Sequence, residues 1–230
     1  MSARSIYEDG TYAAHNPTWH AEDSRWKATH IRALLERNDV HPTTVCEVGC
    51  GAGGILNALA DDLGPTVQFT GFDVAPDAIA RCVQRPNIKF VCGDALDDPA
   101  TFDVALAIDV FEHVEDYLGF LHGLRSKGAH HVFHIPLDLS VQSVLRATPL
   151  QHNRDRVGHL HAFTKETALA TLEHAGYTIL DHAFTYASLD RPSRSWRASL
   201  MKGPRRLLSA LHADLAVRIL GGASLLVLAR

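Results

Sequence analysis

Apolar positions along this chain switch repeatedly between two spacings. Residues 44–48, Thr-Val-Cys-Glu-Val, form a short apolar run that enters the glycines of 49–54. Ile55, Leu56, Leu59, Ala60 and Leu63 then follow at helical spacing. The same order recurs as a strand over 67–73, a helix over 76–84, strands over 88–92 and 104–108, a helix over 114–124 and a strand over 130–135. Such alternation predicts an α/β fold, a mostly parallel sheet covered by helices. Upstream, residues 1–22 carry Tyr7, Tyr12 and Trp19 without a period. A helical pattern then opens after Glu22-Asp23-Ser24 and runs through Trp26, Ile31, Leu34 and Leu35 to His41-Pro42. Downstream, residues 137–160 are irregular and too long for a plain connection, which marks them as functional or partly helical. Thr164 caps a helix that Gly176 stops, a strand covers 177–186, and the tail holds a basic linker, a helix over 204–219 and a last strand over 223–229.

Composition narrows the class. With 230 residues, 46% hydrophobic and 21% charged, the chain buries a sizeable core and is not a disordered tract. Twenty-six acidic against 22 basic side chains give a formal charge of -4, which argues against a whole-protein grip on nucleic acid. The start shows no apolar stretch behind a basic one, and the longest apolar run, near the C-terminus, is too short to span a bilayer. A cytoplasmic protein without a transmembrane segment is expected. Cys46, Cys50, Cys82 and Cys92 form no C-x-x-C pair and read as buried free thiols.

The glycine turn carries the first chemistry. Gly49, Gly51 and Gly54 fit G-x-G-x-x-G, while Glu47, Gly49, Gly51 and Gly53 fit E-x-G-x-G-x-G. Both need a backbone that turns tightly and lets a ligand lie against it. A carboxylate two residues before the first glycine repels a pyrophosphate and suits a cationic ligand, and Glu47 is such a carboxylate. Asp73 ends the second strand, where it can accept from two ribose hydroxyls. Asp94-Ala95 ends the third, where a carboxylate and a backbone N–H can meet an adenine edge, and Asp109 ends the fourth.

Together these residues resemble the class I S-adenosylmethionine-dependent methyltransferases over roughly residues 40–190. Glu47-Val48-Gly49-Cys50-Gly51-Ala52-Gly53 is similar to that family's first motif and Asp73 to its ribose-binding acid. Gly93-Asp94-Ala95 is similar to its adenine-side motif, and Asp109-Val110-Phe111-Glu112-His113-Val114 to its fourth-strand motif. The resemblance implies a Rossmann-like seven-stranded sheet with helices on both faces and a C-terminal strand, 223–229, inserted antiparallel. It implies S-adenosyl-L-methionine as cofactor, held by Glu47, Gly49, Cys50, Gly51, Gly53, Asp73, Val74, Asp94, Ala95, Asp109 and Val110. Gly158–Thr164 resembles the subgroup acting on small metabolites, such as the ubiquinone-biosynthesis O-methyltransferases. The expected layout is an arm and helix over 1–40 and a methyltransferase domain over 41–230, with 136–163 as a substrate-side insertion.

Methyl transfer to a hydroxyl needs a base, and histidine suits it because its pKa lies near neutrality. Of fifteen histidines, His113 follows the fourth strand, His134 ends the fifth, and His159 and His161 lead into the next helix. These positions face the cleft beyond the strand ends. His159 is the first choice as base, with His113 and His134 as the other catalytic candidates; Tyr12, Trp19 and His161 are the substrate-side candidates. His130 and His134 share a strand face that His131 does not, so no metal is expected there. Residues 191–206 hold six basic residues and no acidic one, and read as a solvated loop rather than an RNA site. The expected function is O-methylation of a small molecule or a carbohydrate-like metabolite, with no nucleic-acid partner. The alternatives are an RNA or protein methyltransferase, an NAD-dependent oxidoreductase, and a binding protein without chemistry.

Overall fold

A computed structural model describes residues 21–190 and 196–230. Among them the strands β1 (Thr44–Val48), β2 (Gln68–Asp73), β3 (Ile88–Cys92), β4 (Phe102–Ile108), β5 (Gly128–Pro136), β6 (Ile179–Thr185) and β7 (Ser224–Ala229) form one seven-stranded sheet in the order β3-β2-β1-β4-β5-β7-β6. The first five run parallel, and β7 inserts antiparallel between β5 and β6, as the resemblance implies.

Side chains alternate across this sheet and divide the core into two layers. Val45, Val104, Leu106, Val132, Leu226 and Leu228 face one side with α1 (Ser24–Arg37) and α2 (Gly54–Leu63). Cys46, Ala105, Ala107, Phe133, Leu225 and Val227 face the other with α4 (Tyr117–Leu124) and α7 (Lys165–His174). The single turn α3 (Pro76–Ile79) connects β2 to β3. Burying a side chain such as Phe133 or Leu121, both fully enclosed, contributes about 1.5–3 kcal/mol. Because Ala28, Ile31, Leu34 and Leu35 of α1 are buried in the first layer, the core crosses the boundary expected at residue 40.

Several helices differ from expectation for local reasons. The helix expected over 76–84 ends at Ile79, and its continuation bonds three residues back, Arg81 N–H to Ala78 and Cys82 N–H to Ile79. The helix expected from 114 starts at Tyr117, because Phe111–His113 forms a 3-10 turn, Val114 is extended, and Asp116 accepts the Gly119 N–H as cap. Residues 137–160 fold as α5 (Val141–Arg146), α6 (Thr148–His152) and a π turn over Asn153–Val157. After α8 (Ala187–Asp190), the tail helix is two, α9 (Trp196–Leu211) and α10 (Ala213–Leu220), broken at His212. Tyr12 and Trp19 lie outside the described residues. No described helix is long and apolar enough to cross a membrane.

Candidate active site

The carboxyl ends of β1, β2, β3, β4 and β5 open into one cavity of about 650 Å³. Its first half is the turn between β1 and α2. Gly49 and Cys50 donate their N–H groups to the Phe72 carbonyl at 2.8 and 2.9 Å, which ties the turn to the end of β2. Gly49 holds φ +71°, and a Cβ there would stand 2.8 Å from a Val110 methyl; Gly53 holds φ +73°, and its Cβ would stand 2.5 Å from the Phe90 ring. No other residue fits either place; Gly49 lines the cavity, where a ligand can approach bare backbone, whereas Gly53 packs against Phe90 and does not line it.

Asp73 closes this half. Its two oxygens accept the Gly51 N–H at 2.8 Å and the Ala75 N–H at 2.9 Å, so it braces the turn and retains acceptor capacity on each oxygen. Burial pushes its carboxyl up, opposed by those two N–H groups. Val74, Gly93, Asp94 and Ala95 line the adjoining wall, with Asp94 Oδ1 accepting the Leu96 N–H at 2.9 Å. Cys50 supplies backbone to the wall while its thiol lies over Gly71.

Glu47 is 1% exposed, and its Oε2 has no hydrogen-bond partner. Burial pushes its pKa well above the carboxylate range, against the pull of Lys27 and with Asp73 and Asp109 pushing the same way. Lys27 of α1 reaches the cavity floor, where its Nζ lies 2.6 Å from Asp109 Oδ2. Burial pushes its ammonium down, but Asp109, Asp23 and Glu47 together hold it above the ordinary lysine value. Asp109, at φ +55°, places its other oxygen 2.6 Å from His134 Nδ1. Burial would raise the Asp109 carboxyl; His134 and Lys27 outweigh it and hold it well below the usual range.

His134 differs from its expected part. Its Nδ1 is bonded to Asp109 and its Nε2 lies 2.8 Å from Thr185 Oγ1, so both ring nitrogens are engaged and the ring links β4, β5 and β6. His161 also differs: its Nε2 bonds the Val114 carbonyl at 2.9 Å and its ring lies 4.4 Å from that of Tyr117. It pins the segment before α7 to the turn after β4, and the Glu112 carbonyl accepts the Leu160 and His161 N–H groups beside it.

His113 and His159 are brought together in the second half, their ring centroids 4.9 Å apart. His113 Nδ1 donates to the Gly158 carbonyl at 3.0 Å, and His159 Nδ1 bonds Asp138 Oδ2 at 2.5 Å. Asn153, which opens the π turn, donates to the other Asp138 oxygen at 2.9 Å and accepts the Gly158 and His159 N–H groups on its carbonyl. The irregular segment thus fixes the His159 imidazole through Asn153 and Asp138, and π turns occur frequently at functional sites. Glu112 lies beside them, 1% exposed, with neither carboxylate oxygen hydrogen-bonded.

Lys27, Asp138 and Thr185 escaped the sequence reading. Lys27 looks like any lysine on the polar face of an amphipathic helix, and Asp138 and Thr185 act through partners 21 and 51 residues away.

The sheet order, the glycine turn and the acids at successive strand ends define a class I S-adenosylmethionine-dependent methyltransferase fold. Residues 18–182 match the family described as a methyltransferase domain, and the chain belongs to that family. It is 42% identical over 94 residues to the fatty-acid O-methyltransferase of Mycolicibacterium smegmatis, covering 38% of this chain and 34% of that protein. It is 28% identical over 131 residues to the ubiquinone biosynthesis O-methyltransferase of Colwellia psychrerythraea, covering 52% of each. The chain thus spans about a third and about a half of the length of these two curated relatives. Among solved structures, the magnesium protoporphyrin IX methyltransferase of Synechocystis PCC 6803 with bound S-adenosylmethionine aligns with a TM-score of 0.62 at 12% identity, over 100% of this chain and 97% of that one. The plantazolicin methyltransferase with a substrate analogue and S-adenosylhomocysteine aligns at 0.63 and 16%, over 99% and 92%.

S-adenosylmethionine is the cofactor of this family, and the first half of the cavity fits it. Its adenosyl part matches the bare glycine backbone and the spare acceptor capacity of Asp73. Its ammonium matches the buried, unbonded Glu47 oxygen.

Proposed function

We propose that this chain methylates a hydroxyl or carboxyl oxygen of a small molecule. The observation that carries the reading is the division of one cavity into two unlike halves. Glycine backbone, Glu47, Asp73 and Asp94 line one, and His113 and His159, fixed by Gly158 and Asp138, face the other. When bound, S-adenosylmethionine supplies a methyl group on a positively charged sulfur: the acceptor oxygen bonds the methyl carbon, the carbon–sulfur bond breaks to leave a neutral thioether, and a hydroxyl proton is released.

The protein's own contribution is placement. Asp73 and the side-chain-free glycine backbone set one reactant, Lys27 and His134 hold Asp109 against the floor, and the imidazole pair sets the acceptor oxygen. The two reactants must meet in line at about 3 Å. Trp26 lines the cavity with its indole N–H on Asp190 Oδ2 at 3.1 Å, and with Val157 and Pro136 it gives the acceptor side an apolar wall. Two relatives named O-methyltransferases, one for fatty acids and one in ubiquinone biosynthesis, support an oxygen acceptor with an apolar body.

The test is a screen of phenols, aliphatic alcohols, carboxylic acids and amines with labelled S-adenosylmethionine. Label should enter an oxygen acceptor, and His159→Gln should abolish transfer while S-adenosylhomocysteine still binds. Transfer to amines alone would overturn the oxygen assignment.

A further inference from the structure

Methyl transfer has no use for the thiols of Cys50 and Cys82, yet the fold brings the two to one place. Both are free, Cys50 buried in the glycine turn and Cys82 half-buried just beyond α3. Their sulfurs lie over the same carbonyl oxygen, that of Gly51, at 3.8 Å for Cys50 and 3.5 Å for Cys82, and the thiols are within hydrogen-bonding reach of each other. Of the other cysteines, Cys46 is buried in the sheet and Cys92 is exposed at the end of β3.

The chemistry of the pair is unequal. The Cys50 thiol donates to the Cys82 sulfur, which pulls the Cys82 thiol below its ordinary value, against burial and the neighbouring Asp73, and pushes that of Cys50 up. A partly exposed thiol that ionises readily, next to a second thiol, is suited to attack a disulfide and then to be resolved by its neighbour. The backbone at Cys82 bonds three residues back, its N–H on the Ile79 carbonyl, and the next residue, Val83, is exposed. Joining the sulfurs requires them to approach to about 2 Å. The Cys82 sulfur already rests against the turn, because a Cβ on Gly53 would stand 3.2 Å from it, so the approach is borne by the turn. Gly51, whose carbonyl both sulfurs cover, is also the residue whose N–H Asp73 accepts at 2.8 Å.

We propose that Cys50 and Cys82 form a reversible disulfide that switches off cofactor binding. The oxidant is a small disulfide such as oxidised glutathione. The Cys82 thiolate attacks one of its sulfurs, the glutathione S–S bond breaks, and one glutathione thiolate leaves. The Cys50 sulfur then attacks that of Cys82, the mixed disulfide breaks, and the second glutathione leaves with the Cys50 proton. The protein thiols give up two electrons, and one glutathione disulfide is reduced to two thiols. Where thiols are otherwise kept reduced, such a bond is transient and serves as a sensor. It draws Gly51 away from Asp73 and removes both S–H donors from the Gly51 carbonyl, so the turn loses the shape that faces the adenosyl part. The inference concerns the cofactor half alone and needs no acceptor.

The experiment equilibrates the purified chain in mixtures of reduced and oxidised glutathione, blocks the remaining thiols with iodoacetamide, maps linked peptides by mass spectrometry, and measures S-adenosylhomocysteine binding by calorimetry. Oxidised protein should carry a bond between Cys50 and Cys82 and bind S-adenosylhomocysteine about tenfold more weakly or worse, with dithiothreitol restoring the affinity. Linkage requires the converse: saturating S-adenosylhomocysteine should shift the glutathione equilibrium away from the disulfide by the same factor. Cys82→Ser should bind as the reduced wild type does and ignore the oxidant, while Cys92→Ser should stay as sensitive as the wild type. Should Cys82→Ser not fold, the mapped bond and the shifted equilibrium of the wild type decide. The proposal is overturned by the lack of any bond, by a bond to another cysteine or between two chains, by an affinity loss that persists in oxidised Cys82→Ser, or by a bond between Cys50 and Cys82 that leaves the affinity unchanged.

Discussion

The two halves of the cavity are built by different means. In the cofactor half, the five consecutive residues Gly49–Gly53 between β1 and α2 make the turn, and each of the next strands contributes an acid from its own end. In the acceptor half, Glu112 and His113 follow β4 while Asp138 and His159 come from a loop more than twenty residues on, and nothing local forces them together. One half is a property of short sequence windows and the other of tertiary assembly. Substitutions should therefore separate them cleanly.

The largest effect is expected where the halves share a floor. Lys27→Met removes the ammonium from Asp109 and leaves that carboxylate with His134 alone, which should cost about 3 kcal/mol of stability. Urea titration of Lys27→Met, Asp109→Asn and the double variant checks it: the double should lose clearly less than the sum of the singles.

Gly49→Ala comes next. Its φ of +71° and the 2.8 Å approach to Val110 should cost about 2 kcal/mol and weaken S-adenosylhomocysteine at least tenfold. An unchanged dissociation constant would deny that the turn is shaped for a ligand.

Asp138→Asn should do the reverse, lowering methyl transfer about 10- to 100-fold while cofactor affinity stays within twofold. Parallel loss of both would erase the distinction between the halves.

The mildest expected effect is a pH dependence confined to the cofactor half. Burial raises the pKa of Glu47 in the free protein, and a bound ammonium would favour its ionised form, so binding should release a proton. Affinity should then rise with pH from the ordinary carboxylate range up to the raised pKa, by no more than about tenfold per unit. Lys27, Asp73 and Asp109 share its surroundings, so the Glu47→Gln variant isolates its part. Calorimetry in two buffers of different ionisation enthalpy would count the proton.

What the sequence discloses follows the same division. The strands are legible because apolar runs buried on both faces are hard to mistake, and Gly49, Gly51, Asp73 and Asp94 are legible because their spacing alone sets the turn and the strand tips. Helix ends are less so: Asp116 takes the cap that moves the start of α4 to Tyr117, and His212 breaks what reads as one helix. His113 and His159 are visible as candidates, yet their mutual contact depends on how 137–160 folds. The outward pattern of Asn153 and Asp138 does not show that they face each other. His134 and His161 mislead for a related reason. His134 lines the cavity at the end of β5 and His161 does not line it, and the Thr185 hydroxyl and the Val114 carbonyl that engage their Nε2 atoms are distant in sequence.

The most direct measurement is equilibrium binding of S-adenosylhomocysteine, with NAD as competitor, to the wild type, Asp73→Ala and His159→Gln. Binding to the wild type and to His159→Gln, its loss in Asp73→Ala and no effect of NAD are the results expected of a methyltransferase whose cofactor and acceptor halves are separate. Equal loss in both variants, or displacement by NAD, would contradict that account.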